Sequence, residues 1–176
     1  MKFKSKIKLS ISILILIFIF FTLFVGLEKN NYYYPENNLE KKVINFQGND
    51  LFSNEHLVFK NSNSNNRFTI INIWASWCVP CKSEHKFISF LAENKNVNII
   101  GLNYKDKTKN AIKFLEELGN PYDFVFKDYN GLISIELGAF GVPETYLIDG
   151  KGFIIKKFIG PIDKKKYKQI DKLLKS

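Results

Sequence analysis

The sequence predicts an α/β domain, built on a mixed β-sheet with helices on both faces and preceded by one N-terminal transmembrane helix. Three observations lead to this fold class. A chain of 176 residues is long enough for one ordinary domain and a small additional segment. An apolar run without charge occupies residues 9–27. After it, apolar and amphipathic segments follow in the order β-α-β-α-β-(α)-β-β-α, which is typical of helices packed on both faces of a sheet.

The N-terminal segment has the pattern of an uncleaved membrane anchor. Its 19 uncharged residues, Leu9–Leu27, would span about 28 Å as a helix, close to the hydrocarbon core of a bilayer. No A-x-A-like cleavage site follows, and no cysteine lies near its end, which disfavours a signal peptide and a lipoprotein. We therefore divide the chain into a signal anchor (1–29), a linker (30–40) and a domain (41–176).

Charge around this segment predicts its orientation. Lysines at positions 2, 4, 6 and 8 precede the apolar run, and positive residues stay on the cytoplasmic side of a membrane. We expect a single-pass protein of the bacterial inner membrane, with a cytoplasmic N-terminus and its domain in the periplasm, in contact with membrane lipid. Disulfide chemistry is possible in that compartment.

The net charge of +9 at pH 7 is unevenly distributed. Residues 1–30 carry +4 and residues 151–176 carry +7, whereas the residues between them carry −2. A nucleic-acid-binding domain carries its basic patch on the folded core. Because this core is slightly acidic, the sequence does not predict nucleic acid as a partner.

The elements of the domain are assigned from hydrophobic periodicity and from turn residues. The predicted strands, of which the first two are weak, span residues 43–46, 55–59, 68–74, 97–104, 124–126, 145–148 and 153–158. The Asp149-Gly150 turn joins the last two strands into a hairpin. The predicted helices span residues 78–94, 108–118 and 132–137, and Asp163 opens a Lys-rich terminal helix.

Local signals refine two of these helices. Apolar side chains predict the buried face of the helix that begins near Cys78, namely Phe87, Ile88, Phe90 and Leu91. Thr108 is the expected N-cap of the next helix, and Gly119 follows its end.

Two cysteines three residues apart lie where a buried strand should give way to a helix. Cys78 and Cys81 can close a disulfide across the first helical turn. Cys78 falls at the helix start, where free N–H groups and the helix dipole stabilise a thiolate. Cys81 lies one turn into the helix and is less exposed. We therefore predict that Cys78 is the attacking thiol and Cys81 the resolving one.

Other uses of the pair are weaker. A zinc site would need Cys78, Cys81, His85 and the remote His56, so no metal is predicted. Covalent haem attachment requires His directly after the second cysteine, where this chain has Lys82. His85 lies on the same helix, in an orientation that does not suit a Cys–His hydrolase. An inert structural pair remains open, but it would be unusual in a translocated domain. The expected redox group is the disulfide alone, without another cofactor.

The segment Ile70–Cys81 resembles the active site of the thioredoxin superfamily. The motifs Gly101-Leu-Asn-Tyr-Lys-Asp106, Leu118-Gly-Asn-Pro-Tyr122 and Gly141-Val-Pro-Glu-Thr145 are similar to one branch, the membrane-anchored thiol:disulfide interchange proteins of cytochrome c maturation, or CcmG/DsbE family. The resemblance covers roughly residues 40–160. It implies a thioredoxin-like fold in which Asn72 stands where general thioredoxins carry a buried Asp.

The resemblance also implies a function and partners. The protein would be a protein disulfide reductase, kept reduced by a membrane electron donor of the DsbD/CcdA type. Its target would be a disulfide in apocytochrome c or in a partner protein of the haem-ligation machinery. The alternative is a broader periplasmic disulfide reductase or isomerase with the same fold.

Several further site residues follow from the same family. Pro143 matches the cis-proline beside the active site, and an X-Pro bond adopts the cis form at a cost of only about 0.5–1 kcal/mol. Glu84 and Glu144 match acidic positions that we expect to border the thiols, with Glu144 at the rim. Glu84 lies on the Cys81 face of the helix and is the candidate proton acceptor for Cys81. The expected substrate-binding residues are Trp77, Val142 and Pro143, whereas Trp74 is expected in the core.

Overall fold

The computed structural model describes residues 2–28, 41–60 and 68–175. Contacts divide the chain into two units, with the boundary between Glu36 and Asn37. The first unit contains helix α1 (Lys2–Glu28). Within the described residues, no helix combines the length and the apolar character that a membrane span requires. The predicted linker, residues 30–40, lies outside the described residues, and the anchor stays a prediction from the sequence.

The second unit is the predicted α/β domain. Its strands are β1 (Phe46–Asp50), β2 (His56–Phe59), β3 (Phe68–Trp74), β4 (Val97–Tyr104), β5 (Phe124–Asp128), β6 (Glu144–Ile148) and β7 (Ile154–Ile159). Its helices are α2 (Val79–Ala92), α3 (Thr108–Leu118), α4 (Leu132–Glu136) and α5 (Lys164–Leu174). The predicted order of elements is therefore confirmed.

All seven strands form one mixed sheet in the order β2-β1-β5-β4-β3-β6-β7. The central strands β3, β4 and β5 run parallel, because helices α2 and α3 return the chain between them. Strand β6 lies antiparallel to β3, and the β6–β7 hairpin and the β1–β2 hairpin complete the two edges. Strand β3 is buried along almost its whole length, as its uninterrupted apolar sequence predicts.

The core is divided by the sheet into two layers. On one face, apolar side chains of β3 pack against helices α2, α3 and α5, with Ile88, Phe114 and Ile170 among the buried residues. On the other face, a second cluster packs against Ile133 of α4, and Phe46 and Tyr146 are among its buried residues. The prediction of helices on both faces of a mixed sheet is therefore confirmed.

Two local predictions about the helices are wrong in detail. Phe90 of α2 is 48% exposed, and the buried face of this helix includes Glu84 and His85. Both polar side chains have hydrogen-bond partners, Asn72 for Glu84 and the Gly119 carbonyl for His85, which the sequence pattern alone does not reveal. The N-cap of α3 is Lys107 rather than Thr108, and it makes no side-chain capping bond.

Candidate functional site

The site centres on a disulfide between Cys78 and Cys81. Strand β3 ends at Trp74, a short turn follows, and α2 begins one residue after Cys78. Both cysteines are buried in this oxidised form, at 5% and 2% exposure. Cys78 is the more exposed of the two, as predicted, but the difference is small.

Cys78 is the N-cap residue of α2. Its backbone is extended, and its Sγ accepts a hydrogen bond of 3.1 Å from the Cys81 N–H. This N–H has no partner within the helix, because the first turn of any helix leaves its amides free. Pro80 falls in the same turn, where a missing N–H costs nothing. A thiolate at Cys78 would therefore be stabilised by a hydrogen bond and by the helix dipole.

Pro143 lies at the end of the sheet where β3 leads to the disulfide, because it immediately precedes β6, which runs antiparallel to β3. The Val142–Pro143 peptide bond is cis, as the family resemblance implies. The register pairs Ile73 of β3 with Glu144 of β6. Because these strands are antiparallel, the residues just before β6 lie beside the carboxyl end of β3, from which the chain continues to the disulfide.

A buried polar network lies between α2 and the sheet. Glu84 is 1% exposed, and its Oε1 accepts a hydrogen bond of 3.0 Å from Asn72 Nδ2. The same Nδ2 donates to Thr145 Oγ1, and Tyr122 Oη donates to Asn72 Oδ1 at 2.8 Å. The other oxygen of Glu84, Oε2, accepts a bond of 2.7 Å from the Ile162 N–H. Glu84 of α2 therefore bonds directly to β3 and to the chain after β7, and through Asn72 it is also linked to β6.

Burial decides the protonation of two neighbouring groups on α2. It raises the pKa of Glu84 from 4.5 to about 7, against the opposing effect of the hydrogen bonds from Ile162 and Asn72 and of the Lys166 charge. Desolvation also lowers the pKa of His85, whose Nε2 donates a hydrogen bond of 2.9 Å to the Gly119 carbonyl. At neutral pH Glu84 can therefore exchange a proton, whereas His85 is held neutral.

Glu144 does not lie at the rim, where it was expected. It is 1% exposed, and its partner Ile73 belongs to the face of the sheet opposite α2. There its carboxylate forms an ion pair of 2.8 Å with Lys157 and accepts hydrogen bonds from the Phe140 and Gly141 N–H groups. Glu144 therefore binds the backbone of the loop that precedes Pro143.

The turn that leads to Cys78 is fixed by Asp106, a residue that the sequence analysis quoted only within a motif. Its two oxygens accept hydrogen bonds from the Ser76 N–H at 2.6 Å, the Ser76 hydroxyl at 2.8 Å and Asn103 Nδ2 at 3.1 Å. Because Asn103 lies at the end of β4, this carboxylate connects two neighbouring strand ends. The signal was available, since Asn103 lies at the end of a buried strand and Asp106 follows that strand at the same sheet edge.

Apolar side chains next to the two cysteines in sequence and in the loop before Pro143 reach the surface. Trp77 is 56% exposed, and its Nε1 donates to the Lys105 carbonyl. Val79 and Phe140 are also exposed, and Val142 is half-buried. Trp74, in contrast, is buried and stacks on Tyr122, as predicted for a core residue.

A family model supplies the decisive comparison. The redoxin model matches residues 40–174, which is most of the chain and all of the sheet. The chain belongs to the redoxin family.

Relatives of this redoxin are thiol:disulfide interchange proteins. It is 45% identical over 95 residues to CycY of Rhizobium leguminosarum bv. viciae, covering 54% of this chain and 51% of the relative. It is 44% identical over 100 residues to DsbE of Haemophilus influenzae, covering 57% and 55%. The chain thus spans about half the length of these two relatives. A probable DsbE-2 of Pasteurella multocida is 39% identical over 140 residues, covering 80% of this chain and 73% of the relative.

Solved structures agree with the fold of the redoxin domain. A thiol:disulfide interchange protein DsbE from Chlorobium tepidum superposes with a TM-score of 0.66 at 21% identity, covering 78% of this chain and 96% of that one. A DsbF homologue from Corynebacterium diphtheriae gives 0.65 at 21% identity, covering 81% and 89%. The family and the thioredoxin-like fold predicted from the sequence are therefore confirmed.

The redoxin site brings together most of the residues predicted from the sequence. Glu84 lies on the helix that carries both cysteines, and Pro143 lies at the same end of the sheet. The substrate-binding roles of Trp77, Val142 and Pro143 stay predictions. Sequence reasoning missed Lys157, because it is one of two adjacent lysines of β7 and nothing in that local pattern distinguishes it from its neighbour Lys156.

Proposed function

We propose that this protein is a membrane-anchored thiol-disulfide oxidoreductase that reduces a disulfide in apocytochrome c or in a partner protein of the haem-ligation machinery. The observation that carries the proposal is the Cys78–Cys81 disulfide at the amino end of α2, with Glu84 buried on the same helix. The names DsbE and CycY of its relatives support the exchange of thiols and disulfides. The cytochrome target rests on the resemblance of the sequence motifs.

The reaction begins with the reduced pair. The Cys78 thiolate attacks one sulfur of the target disulfide, and a mixed disulfide forms while the other target sulfur leaves as a thiolate and takes up a proton. The Cys81 thiolate then attacks Cys78 Sγ and displaces the second target sulfur. This step closes the disulfide of the present structure, and two electrons have passed from the cysteine pair to the target.

Glu84 is the proposed proton acceptor for Cys81. The two residues are three apart in α2 and therefore share a helical face. A carboxylate whose pKa lies at about 7 can take a proton from the thiol and return it near neutral pH. Glu144 has no such role, because it lies on the opposite face of the sheet.

The electron donor and the location complete the proposal. A membrane protein of the DsbD/CcdA type would present a dithiol and reduce the Cys78–Cys81 disulfide by the same exchange in reverse. The uncharged run Leu9–Leu27, with its preceding lysines, supports an anchor in the inner membrane and a periplasmic domain.

Trapping in the full-length protein tests the proposal. Cys81→Ser leaves the mixed disulfide at Cys78 unresolved. A covalent adduct that is cleaved by reductant should therefore accumulate in a bacterium that makes c-type cytochromes. Cys78→Ser is the matched control and should trap nothing. Adducts with apocytochrome c or a haem-ligation protein would support the proposal. Adducts with many unrelated periplasmic proteins would contradict it and favour a broad-specificity reductase or isomerase.

A further inference from the structure

Lys157 of β7 contacts the loop that precedes β6 at two points and also contacts the first residue of β6. Its Nζ donates a hydrogen bond of 2.8 Å to the Gly138 carbonyl and lies 2.8 Å from Glu144 Oε2. The same ammonium group lies 4.5 Å from the centroid of the Phe140 ring. The side chain of Lys157 is 10% exposed, so these contacts are largely shielded from water. One cation therefore links the start of the loop, its aromatic side chain and the acid that follows it.

Glu144 holds the backbone of the same loop. Its Oε1 accepts hydrogen bonds of 2.7 Å from the Phe140 N–H and 3.2 Å from the Gly141 N–H. The register places Tyr146 opposite Lys157, and the Tyr146 hydroxyl lies 3.4 Å from Glu144 Oε2. The Glu144 carboxylate is buried, and a buried charge without a partner is costly. The ion pair with Lys157 therefore stabilises the charged carboxylate in the position from which it binds the two backbone N–H groups.

The held side chain is itself exposed. Phe140 is 68% exposed although Lys157 lies over one face of its ring, so the remaining ring surface faces solvent. A cation over an aromatic face is an attractive contact that fixes the orientation of the ring. Fixing an exposed aromatic side chain before binding lowers the entropy lost when a partner packs against it. Three residues later the chain reaches Pro143, beside the strand that leads to the disulfide.

We propose that Lys157 is a positioning residue of the target-binding surface, holding residues 138–141 so that Phe140 and Val142 meet the polypeptide that carries the target disulfide. The proposal rests on the proposed function, since it assigns a polypeptide rather than a small molecule as the oxidant of the thiols. It predicts that Lys157 affects the binding of a peptide and leaves the intrinsic reactivity of Cys78 unchanged.

Two oxidants separate these effects in the reduced full-length protein. One is a peptide with an oxidised Cys-x-x-Cys-His sequence, and the other is 2,2′-dithiodipyridine, an uncharged disulfide too small to reach along the loop. In Lys157→Met, the peptide concentration that half-saturates the rate should rise about tenfold, as expected for the loss of a charge-assisted hydrogen bond. The limiting rate and the rate with dithiodipyridine should not change.

Two further variants guard the interpretation. Lys157→Met leaves Glu144 buried without a counter-ion, so the double variant Lys157→Met/Glu144→Gln removes both charges and avoids this cause of unfolding. It should show the same rise for the peptide. Lys156→Met is the matched control, because Lys156 pairs with Leu147 and belongs to the other face of β7. It should behave as the wild type.

Amide hydrogen exchange supplies a readout that does not depend on any target. The Phe140 and Gly141 amides should exchange about tenfold faster in both Lys157 variants than in Lys156→Met. Unchanged amide exchange together with unchanged peptide kinetics in Lys157→Met would overturn the proposal. An equal fall in its reaction rate with the peptide and with dithiodipyridine would also overturn it, because that result indicates a purely structural effect. A wild-type protein that reacts with dithiodipyridine but not with the peptide would instead contradict the proposed function, and the exchange of these amides would still decide whether Lys157 holds the loop.

Discussion

Asn72 of β3 donates a hydrogen bond of 3.0 Å from its side-chain Nδ2 to Glu84 Oε1 on α2. Tyr122 donates to the Oδ1 of the same amide, so the NH₂ group is turned towards the carboxylate. In this position the amide offers Glu84 a neutral donor and no compensating charge. The carboxylate therefore keeps much of its desolvation cost, which is the reason its pKa is raised to about 7.

The raised pKa of Glu84 predicts a pH-dependent stability. The folded protein binds this proton more tightly than the unfolded chain, so the free energy of unfolding should fall as pH rises from 4.5 to about 7. Glu84→Gln does not titrate and resembles the protonated acid, with one oxygen and one donor group. The variant should match the wild type at pH 4 and exceed its free energy of unfolding at pH 8 by up to about 3 kcal/mol.

Urea unfolding of the oxidised protein between pH 4 and pH 8 measures this difference. Tyr122 and the Lys166 charge also interact with Glu84, and both are present in the two proteins. Subtracting the two curves therefore isolates the carboxylate. Parallel curves over the whole range would show that Glu84 is solvated and is not a proton acceptor of the proposed kind.

His85 should show the opposite dependence. Burial lowers its pKa below 6.5, so its contribution to stability is complete above pH 6.5 and is lost as pH falls from 6.5 through the lowered pKa of the folded state. His85→Gln can still donate to the Gly119 carbonyl but loses the ring contacts with Phe114 and Tyr122. We expect the free energy of unfolding of the variant to be about 1 kcal/mol lower than that of the wild type at pH 8. This difference in free energy should be smaller at pH 5.

Thermal unfolding at the two pH values tests this prediction. The control is His56→Gln, because His56 is exposed on β2 and should change stability by no more than about 0.5 kcal/mol at either pH. If the difference in stability between wild type and His85→Gln stays constant from pH 8 to pH 5, the folded state does not favour the unprotonated imidazole of His85, and the prediction is wrong.

Gly101 of β4 allows two aromatic rings to approach the strand. A Cβ at this position would lie 2.9 Å from Trp74 Nε1 and 3.0 Å from a ring carbon of Tyr122. Gly101→Ala should therefore displace both rings and lower the free energy of unfolding by about 1–3 kcal/mol. Gly141→Ala is the matched control, since a Cβ there meets nothing within 4 Å. Equal stability of the two variants in urea would contradict this close packing.

Asp106 should stabilise the turn before Cys78. In Asp106→Asn one acceptor oxygen becomes an NH₂ group that faces N–H and O–H donors from Ser76, Asn103 or Lys107. We expect a loss of about 1–3 kcal/mol in the free energy of unfolding, measured by urea titration. Asp171→Asn, which removes only a surface ion pair with Lys175, should cost less than 1 kcal/mol. If Asp106→Asn is as stable as this control, Asp106 does not stabilise the turn before Cys78.

Local sequence patterns were sufficient to predict the main elements. Strands β3 and β4 begin and end at the predicted residues, because an uninterrupted apolar run is a strong signal of a buried strand. Helix α3 also has its predicted bounds, since its apolar residues follow the helical period and Gly119 ends it. The cysteine pair was predicted at the start of a helix for the same reason, because spacing and capping are properties of neighbouring residues.

The sequence by itself determined the order of elements, the redox pair and the family, because short-range spacing encodes all three. Only the tertiary structure decided the surroundings of the two acids. Glu84 and Glu144 both follow a site residue closely in sequence, yet the sheet separates them, with Asn72 next to one and Lys157 next to the other. Strand register fixes which side of the sheet each side chain occupies, and register depends on pairing between distant segments, so no local pattern specifies it.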